Sequence, residues 1–461
     1  MQRDAIDFGR SDIPALFRKL FIPTLLGMLS ISAVTAIDGI FVGHGVGSDG
    51  IAAINICIPV LMIFAGFGLM MGAGASVVAS IHLARGNTKA ARINATQSLL
   101  FATVVTLLCA VAILTFPQQT ARLLGSSETL LPQVTAYLYG FVLGLVFEMW
   151  SAIGLFVIRL DGSPRWAMWC NVVSAVANVV LDWLFIFPLG MGVAGAAIAS
   201  TVSMAIGAAI TLVYLGRYAD RLTLYRLKIS WKSLRLTLRN VGYQCRVGSS
   251  ALVGEATMAV LMFVGNLVFM HYLGDYGVGA FGVACYYAPF VFMVGNAIAQ
   301  SAQPIISYNF GTAPQRAIAA QRVALLTAVG CGVTVTVAFL LGAELLVGLF
   351  LNPTDPAAAI AIEGLPCFAL GFVPFILNLT AIGYYQSIER VRFAIGYALL
   401  RGAVFLVPSF LWLPRLAGTV GIWLAMPLSE TLTLLVIVEV YLFRLQSTSA
   451  ISHRSQSKSS R

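Results

Sequence analysis

Three polar residues with oxygen-bearing side chains stand inside apolar segments and could bind a cation. Asn178 and Asp182 are four residues apart in one such segment, and Asp38 lies in another. A spacing of four places two side chains on the same face of an α-helix. Carboxylate and amide oxygens are ligands for hard metal cations, and a carboxylate also accepts a proton. The spacing of Asn178 and Asp182 therefore indicates binding of a proton or of a small cation, whereas Asp38 by itself leaves a functional and a structural role open.

A polar stripe surrounds Asp182 on its predicted helix. Residues spaced by three, four and four share one face, and they are Asn171, Ser174, Asn178 and Asp182. The next apolar segment repeats this spacing at Ser200, Ser203, Gly207 and Thr211. For this second stripe we favour hydrogen bonds between helices, which are common in membrane bundles. For Asp182 with Asn178 we favour cation binding, because acids inside apolar segments are rare and usually functional.

Three more acids lie inside apolar segments, namely Glu148, Glu255 and Glu430. We expect none of them to have a cationic partner, since Arg401 is the deepest basic residue and lies near a helix end. A buried carboxylate without a cationic partner takes up a proton or binds a cation. These acids are therefore candidates for contact with a positively charged ion or solute.

A second polar set is predicted to line a substrate cavity. It consists of Glu255 and Glu148 together with three amides of one apolar segment, Asn296, Gln300 and Gln303. Aromatic and methionine side chains precede these amides at Tyr286, Tyr287, Phe290, Phe292 and Met293. Such side chains hold lipophilic cations loosely, although ordinary packing explains them equally well.

The elements that carry these residues are membrane-spanning helices. Of the 461 residues, 59% are hydrophobic and 10% are charged, whereas a soluble domain has about 25% charged residues. A crossing takes roughly 20 apolar residues, so the length accommodates twelve. We predict spans at about 20–43, 53–81, 93–116, 131–157, 166–188, 193–216, 245–272, 278–306, 319–350, 360–387, 393–414 and 418–443. The predicted fold class is an all-α integral membrane protein.

The basic residues predict the orientation of these spans. If the N-terminus is cytoplasmic, 26 of the 28 lysines and arginines lie on the cytoplasmic side, and only Arg122 and Arg415 lie opposite. Cytoplasmic loops of membrane proteins carry an excess of such residues. We therefore expect both termini in the cytoplasm and a bacterial-type inner (plasma) membrane. Membrane lipid is an expected partner.

Short sequence matches, in the same order and at a nearly constant offset, indicate an internal repeat. The set His44, Gly47, Gly50 and Ala53 recurs as His271, Gly274, Gly277 and Ala280, the set Ser76, Ile81 and Gly86 as Ser301, Ile306 and Gly311, and the set Pro188, Gly195 and Ala199 as Pro414, Gly421 and Ala425. With six spans per copy, the two copies have the same orientation and are related by an axis along the membrane normal. The second copy has Val404 and Pro408 where the first has Asn178 and Asp182. We therefore place the ion chemistry in the first copy.

The repeat defines the predicted domains. They are an N-terminal segment 1–19, a six-helix lobe 20–216, a basic cytoplasmic linker 217–244, a second six-helix lobe 245–444 and a disordered tail 445–461. In the linker, Trp231, Leu234, Leu238 and Val241 share one helical face with basic residues off it. This pattern is typical of a short helix on the inner leaflet, and a solvated connector is the alternative.

Several classes of function are excluded. The three GxGxxG strings, which start at Gly45, Gly190 and Gly277, lie between apolar spans rather than in a βαβ unit, so we expect no nucleotide and no cofactor. The basic residues lie in short loops, which argues against nucleic acid. The seven cysteines and four histidines form no metal-binding motif. The chain also lacks a recognisable nucleophile–base pair, so an enzyme is disfavoured.

The chain resembles the multidrug and toxic compound extrusion (MATE) family, in particular its bacterial drug-exporting subgroup. The resemblance covers nearly all of 10–444. Its motifs are Ile37-Asp-Gly-Ile-Phe-Val-Gly43, Asn178-Val-Val-Leu-Asp182 with Gly195-Ala-Ala-Ile-Ala-Ser200, and Gln303-Pro-Ile-Ile-Ser-Tyr-Asn-Phe-Gly311. In similar proteins the acid at Asp38 and the Asn178/Asp182 pair form a cation site. Ser200 stands where threonine is frequent and keeps the hydroxyl. The match at Glu255 is less secure than at these positions.

The resemblance implies export of small lipophilic compounds in exchange for inward H⁺ or Na⁺, by a chain that acts as a monomer. The acidic cavity residues favour cationic cargo. The same oxygen ligands suit both ions, so the residues leave H⁺ and Na⁺ open. One alternative is a lipid-linked oligosaccharide flippase of related two-lobe plan, which would place cationic side chains in its cavity. The other is a membrane-embedded enzyme.

Overall fold

The computed structural model of the chain describes residues 6–46, 48–126, 128–227, 230–351, 354 and 356–459. Within these ranges the regular structure is helical and no strand is present. The helices of the first half are α1 Ile13–Gly45, α2 Ser48–Ala84, α3 Thr88–Thr115, α4 Pro117–Leu123, α5 Leu131–Phe141, α6 Gly144–Leu160, α7 Pro164–Ile186 and α8 Gly192–Val213. Those of the second half are α9 Trp231–Asn309, α10 Pro314–Leu341, α11 Ala343–Gly348, α12 Pro356–Ala369, α13 Phe372–Ser387, α14 Val391–Leu399 and α15 Leu406–Ser459. Short π-helices follow α8 at Tyr214–Tyr218 and α14 at Leu400–Val404.

The described helices account for the twelve predicted spans. Nine stretches are long and apolar enough to cross a membrane, and two bent pairs, α5 with α6 and α12 with α13, pass the same criterion together. One of the nine, Val391–Tyr441, has 51 residues and is broken at Ala417 and Gly418, so it supplies two crossings. Helix α9 is likewise broken, at Gly274, between its two spans.

The internal repeat is visible in the backbone. Gly192 and Gly418 stand at equivalent positions of the two copies, and both have a positive φ, 57° and 59°, at the turn before the last span of each copy. Only glycine adopts this conformation without strain. The bends also correspond, at 48° between α5 and α6 and at 46° between α12 and α13. The same span of each copy is therefore bent to the same degree.

Two compact units divide the described chain. Unit 1 contains Met1–Glu255, Ala297–Ala324 and Gly383–Val391, and unit 2 contains Ala256–Asn296, Leu325–Ile382 and Arg392–Arg461. Three segments of the predicted second lobe, 245–255, 297–324 and 383–391, thus pack within unit 1. The domain boundaries derived from the sequence stay predictions.

The start of the linker is fastened to unit 1 by Asp161, which is 2% exposed. Its carboxylate accepts hydrogen bonds from the Tyr214 hydroxyl at 2.8 Å and from the backbone N–H groups of Asp220, Arg221 and Leu222 at 2.8–3.1 Å. The buried charge is thereby satisfied, as a buried carboxylate requires. The linker therefore leaves span 6 along a defined path.

The predicted short surface helix in the linker is wrong. Trp231 begins helix α9, which continues without a break into span 7 as far as Gly274. Trp231 is 83% exposed, whereas Val241 is 2% exposed and packs in the core, so the apolar face is not exposed along its whole length. At the other end of the chain, α15 extends to Ser459, through most of the segment expected to be disordered.

Candidate functional site

The site begins with the packing of α1 against α7. A side chain at Gly27 would lie 3.2 Å from the Asn171 amide nitrogen, and one at Gly45 would collide with Ile186. Successive contacts therefore occur in the same order along α1 and α7, so the two helices pack side by side and parallel. Small residues permit such close approach between membrane helices.

Asp38 and Asp182 lie at one level of this helix pair. Asp38 follows Gly27 on α1 by the same number of residues as Asp182 follows Asn171 on α7. Gly27 and Asn171 are in contact, so Asp38 and Asp182 lie side by side. The two carboxyl groups lie within hydrogen-bonding range of each other, and Asp182 is 1% exposed. In the described part of the chain, no other group donates a hydrogen bond to either Asp182 oxygen or to Asp38 Oδ1. Two adjoining carboxylates repel unless a proton or a cation lies between them.

Asn178 lies one helical turn before Asp182 and is 5% exposed. Its side-chain nitrogen has no hydrogen-bond partner among the residues that the structure describes. A buried amide normally has its hydrogen bonds satisfied. Independently of this nitrogen, the oxygen of the amide and the two carboxyl groups are oxygen ligands whose chemistry fits a proton or Na⁺.

Tyr137 of α5 was missed by the sequence reasoning. It is 8% exposed and lies within electrostatic range of both Asp38 and Asp182. Its ring stacks on Phe141 with 5.3 Å between ring centroids. The sequence feature that could have identified Tyr137 is a tyrosine in the first half of an apolar span.

Ser200 is half-buried, and its backbone carbonyl accepts a hydrogen bond from Ser203 Oγ at 2.8 Å. The role of its hydroxyl stays a prediction. The Ser174 hydroxyl donates to the Ser203 carbonyl at 2.8 Å, which links α7 to α8. The Ser203 hydroxyl donates within its own helix, to the Ser200 carbonyl, so interhelical hydrogen bonding by the hydroxyls of the second stripe stays a prediction.

The predicted cavity residues have different surroundings. Glu255 is half-buried, and its Cβ would lie 3.5 Å from a side chain at Gly66 on α2. Glu148 and Asn296 are also half-buried. Gln300 and Gln303 form hydrogen bonds with neighbouring helices of unit 1. Their membership of one cavity stays a prediction.

The expectation that intramembrane acids lack cationic partners is wrong for Glu430. Arg401 forms a salt bridge with it at 2.8 Å, and both residues are 3% exposed. Asn378 donates to the same carboxylate at 2.7 Å, and the Arg401 guanidinium lies 4.3 Å from the centre of the Phe375 ring. A buried ion pair of this kind survives only when further hydrogen bonds satisfy it, as they do here.

A second arginine, Arg159, is buried as well, with 4% exposure. The sequence reasoning placed it in a loop and missed it. In addition, the described residues contain no group of three or more His, Cys, Asp or Glu side chains that could hold a metal ion. Any cation at Asp38 and Asp182 would thus complete its ligands with neutral oxygens.

Comparisons with known proteins agree with the helical fold and the two similar halves described above. The MatE family model matches residues 23–184 and 251–410, two segments that begin and end at nearly equivalent positions of the two copies. Multidrug export protein MepA of Staphylococcus saprophyticus is 26% identical over 445 residues, which cover 95% of each chain. A structure described as the outward-facing conformation of a multidrug resistance MATE family transporter has a TM-score of 0.89 at 20% identity, covering 98% of this chain and 100% of that one.

A transporter structure from Pyrococcus furiosus is also similar, with a TM-score of 0.86 at 21% identity and coverage of 95% of this chain and 97% of that one. Its description reports a reversed polarity of the binding pocket and suggests a different function. These likenesses confirm the predicted fold class, an all-helical membrane protein of two six-helix lobes. They also confirm the resemblance drawn from the motifs.

Proposed function

Since the chain belongs to the MatE family, whose model matches residues 23–184 and 251–410, we propose that it is a secondary multidrug exporter. It moves lipophilic, cationic compounds out of the cell in exchange for inward H⁺ or Na⁺. It acts in a bacterial inner membrane with both termini in the cytoplasm. Its similarity to multidrug export proteins of staphylococci supports the choice of cargo.

The observation that carries the proposal is the contact between the Asp38 and Asp182 carboxyl groups in a buried position. The pair binds one proton or one cation and must release it before it can bind the next. Such a site alternates between loaded and empty states, which is what exchange against a cargo requires. Asn178 supports the loaded state with a neutral oxygen.

The energy available from one ion is sufficient for export. A membrane potential of ~150 mV supplies roughly 3.5 kcal/mol per charge, at about 2.3 kcal/mol per 100 mV. Each ~1.4 kcal/mol corresponds to a factor of ten in concentration. One inward ion therefore supports a cargo gradient of a few hundredfold.

The coupling site lies in the first half of the chain on this proposal. The buried acid of the second half, Glu430, is held as a carboxylate by Arg401 and Asn378. Protonation of Glu430 would remove its negative charge and leave the Arg401 guanidinium buried and unpaired, which is strongly unfavourable. Glu430 is thus suited to structure rather than to ion exchange.

A flippase for phosphate-bearing lipids needs free cationic side chains in its cavity. The guanidinium of Arg401 is paired with Glu430, and that of the buried Arg159 donates to Gln300, so both arginines are already engaged within the protein. Membership of a transporter family gives no reason to assign an enzymatic activity to the chain. The relevant cargo is a small molecule, and no nucleotide takes part.

The test is dye efflux from proteoliposomes in which the Na⁺ gradient and the pH gradient are imposed separately. We expect uphill movement of a cationic dye with one of the two gradients, and none when both are absent. Dye movement that is equal with and without any gradient would contradict the exchange mechanism. Translocation of a lipid-linked oligosaccharide in the same vesicles, without dye movement, would favour the flippase.

A further inference from the structure

One segment of the second half, 297–309, packs within unit 1 through a single polar face. Gln300, Gln303 and Ser307 are spaced by three and four residues, so they share one side of the helix. All three are engaged with helices of the first half. The segment is therefore joined to unit 1 by polar contacts as well as by apolar packing.

Each of these side chains has a defined partner. The Arg159 guanidinium donates to Gln300 Oε1 at 2.6 Å, and Gln303 donates to the Ala73 carbonyl at 3.0 Å. The Ser80 hydroxyl donates to the Ser307 hydroxyl at 2.6 Å. Ser80 and Ser307 are 0% and 1% exposed. The Ser80–Ser307 contact is thus closed to water, whereas Gln300 is half-buried.

The contacts have a regular geometry. Ala73 and Ser80 are seven residues apart on α2, and their partners are four residues apart on the segment. The segment therefore runs alongside α2 in the same direction. Ser76 of α2 and Ser301 of the segment are equivalent in the internal repeat, and both are buried. Equivalent helices of the two copies thus pack against each other, as expected beside the repeat axis.

The position of the contacts matters for transport. On the proposed topology, the loops after α2, after α6 and after Asn309 are all cytoplasmic. The three contacts therefore hold together the cytoplasmic ends of spans 2, 4 and 8. In an exporter of two related copies, access to the cytoplasm requires the copies to separate at this end.

Arg159 is paired in an unusual way for a buried cation. Its partner Gln300 is a neutral amide, and the Phe156 ring lies 5.0 Å from the guanidinium carbon. A neutral acceptor satisfies the hydrogen bond without the full attraction of a buried ion pair. The Arg401–Glu430 pair shows the contrasting arrangement in unit 2. A contact that must open in every cycle benefits from the weaker form.

We propose that Arg159–Gln300 and Ser80–Ser307 form the cytoplasmic gate of this exporter. The contacts are made while the cargo site is closed to the cytoplasm, and they break each time it opens to the cytoplasm. Arg159 and Gln300 act as positioning residues rather than as cargo ligands. This inference rests on the proposed transport function and adds the residues that control access.

A disulfide across the gate provides the first test. Ser80→Cys with Ser307→Cys, in a background without the seven native cysteines, places two sulfurs where hydroxyl oxygens lie 2.6 Å apart. Oxidation in proteoliposomes should then reduce dye export at least tenfold, and reduction should restore it. The matched control is Gly279→Cys with Ala357→Cys, whose Cβ atoms lie 3.4 Å apart inside unit 2. That distance also suits a disulfide, yet its formation should leave export unchanged.

Export at the unmodified rate by the fully crosslinked Ser80/Ser307 variant, with crosslinking verified by mass spectrometry, would overturn the gate. An equal loss in the unit 2 control would overturn it as well. Failure of the unmodified protein to export any dye would instead reject the proposed function. The two failures are thus distinguishable.

A second test does not depend on cargo. Alkylation of Ser307→Cys by N-ethylmaleimide in proteoliposomes reports how frequently the buried contact opens. Gln300→Glu creates an ion pair with Arg159 and should slow alkylation at least fivefold, whereas Gln300→Ala should accelerate it at least fivefold. Alkylation of Ala357→Cys, which is 4% exposed in unit 2, should not respond to either change. Identical rates in the three residue-300 backgrounds would refute the gate even if the protein exports nothing.

Discussion

The carboxyl groups of Asp38 and Asp182 meet at one level of two helices that run side by side, with no other hydrogen-bond donor to either Asp182 oxygen in the described part of the chain. Helix α1 contributes one acid and α7 the other, and glycines at Gly27 and Gly45 let the helices approach. On the proposed function, the pair holds one proton or cation at a time. Its ionic state would then be tied to the spacing of α1 and α7, which would link ion binding to helix packing.

The coupling residues are tested by removing one charge at a time. Asp38→Asn and Asp182→Asn change little volume, and each should abolish uphill export while the protein remains folded and inserted. Because the two acids act as a unit, the double variant should be no worse than either single variant. The measurement is dye accumulation against a gradient in proteoliposomes, with dye binding in detergent measured in parallel.

Glu128→Gln serves as the matched control for this prediction. Glu128 is an exposed acid in a loop, paired with Arg122 at 3.1 Å, and its loss should leave export unchanged. Near wild-type uphill export by both Asp38→Asn and Asp182→Asn would show that the ion site lies elsewhere.

Asn178 and Ser200 should differ in importance. Asn178 is buried one turn from Asp182, whereas the recorded hydrogen bond of Ser200 involves its backbone carbonyl. Loss of a buried hydrogen-bonding group costs about 1–3 kcal/mol, which corresponds to roughly 5- to 150-fold in ion affinity. We therefore expect Asn178→Ala to weaken coupling by about fivefold or more and Ser200→Ala to weaken it less. Ion-dependent export rates measured over a range of Na⁺ and H⁺ concentrations decide the order, and an effect of Ser200→Ala as large as that of Asn178→Ala contradicts it.

Glu255 is expected to attract cationic cargo. Glu255→Gln keeps the size and the hydrogen bonding of the side chain and removes only its charge. Export of monocationic dyes should fall more than export of neutral compounds of similar size. Equal losses for both classes would point to a structural role against Gly66, which Glu255 contacts.

The Arg401–Glu430 pair should govern the stability of unit 2. Glu430→Gln leaves a buried guanidinium without its counter-charge, and breaking such a pair costs about 3–5 kcal/mol. Removing both charges in Arg401→Met with Glu430→Met should restore most of that loss, because two apolar side chains of similar volume leave no unpaired charge. Thermal unfolding in detergent is the measurement. Equal melting temperatures for the single variant and the wild type would show that the ion pair contributes little.

The proposed orientation predicts which loops a membrane-impermeant thiol reagent reaches in intact cells. Lys232→Cys should be protected and Glu128→Cys should react, since both positions are exposed on the protein and the proposed topology places them on opposite sides of the membrane. The background lacks the native cysteines. Asp355, another loop position suited to this experiment, lies outside the described residues. The reverse labelling pattern would invert the topology and the outward direction of transport.

The class of protein, the twelve spans, the internal repeat and the family could all be predicted from the sequence. Each rests on a local property: apolar length sets a span, and the repeat is read from matching residues. The Asn178/Asp182 spacing also follows from helix periodicity. Asp38 joined this pair through the family motif, since no local pattern brings together residues so distant in the chain.

Only the tertiary structure decided which buried charges find partners. Arg401 and Glu430 belong to different helices, and nothing in their spacing along the chain indicates that they form an ion pair. Likewise, the hydrogen bond of Arg159 to Gln300 and the proximity of Tyr137 to Asp38 and Asp182 involve residues of other helices. Whether an intramembrane charge is free or compensated depends on helix rotation and packing. These are collective properties of the bundle, and the sequence of one helix does not contain them.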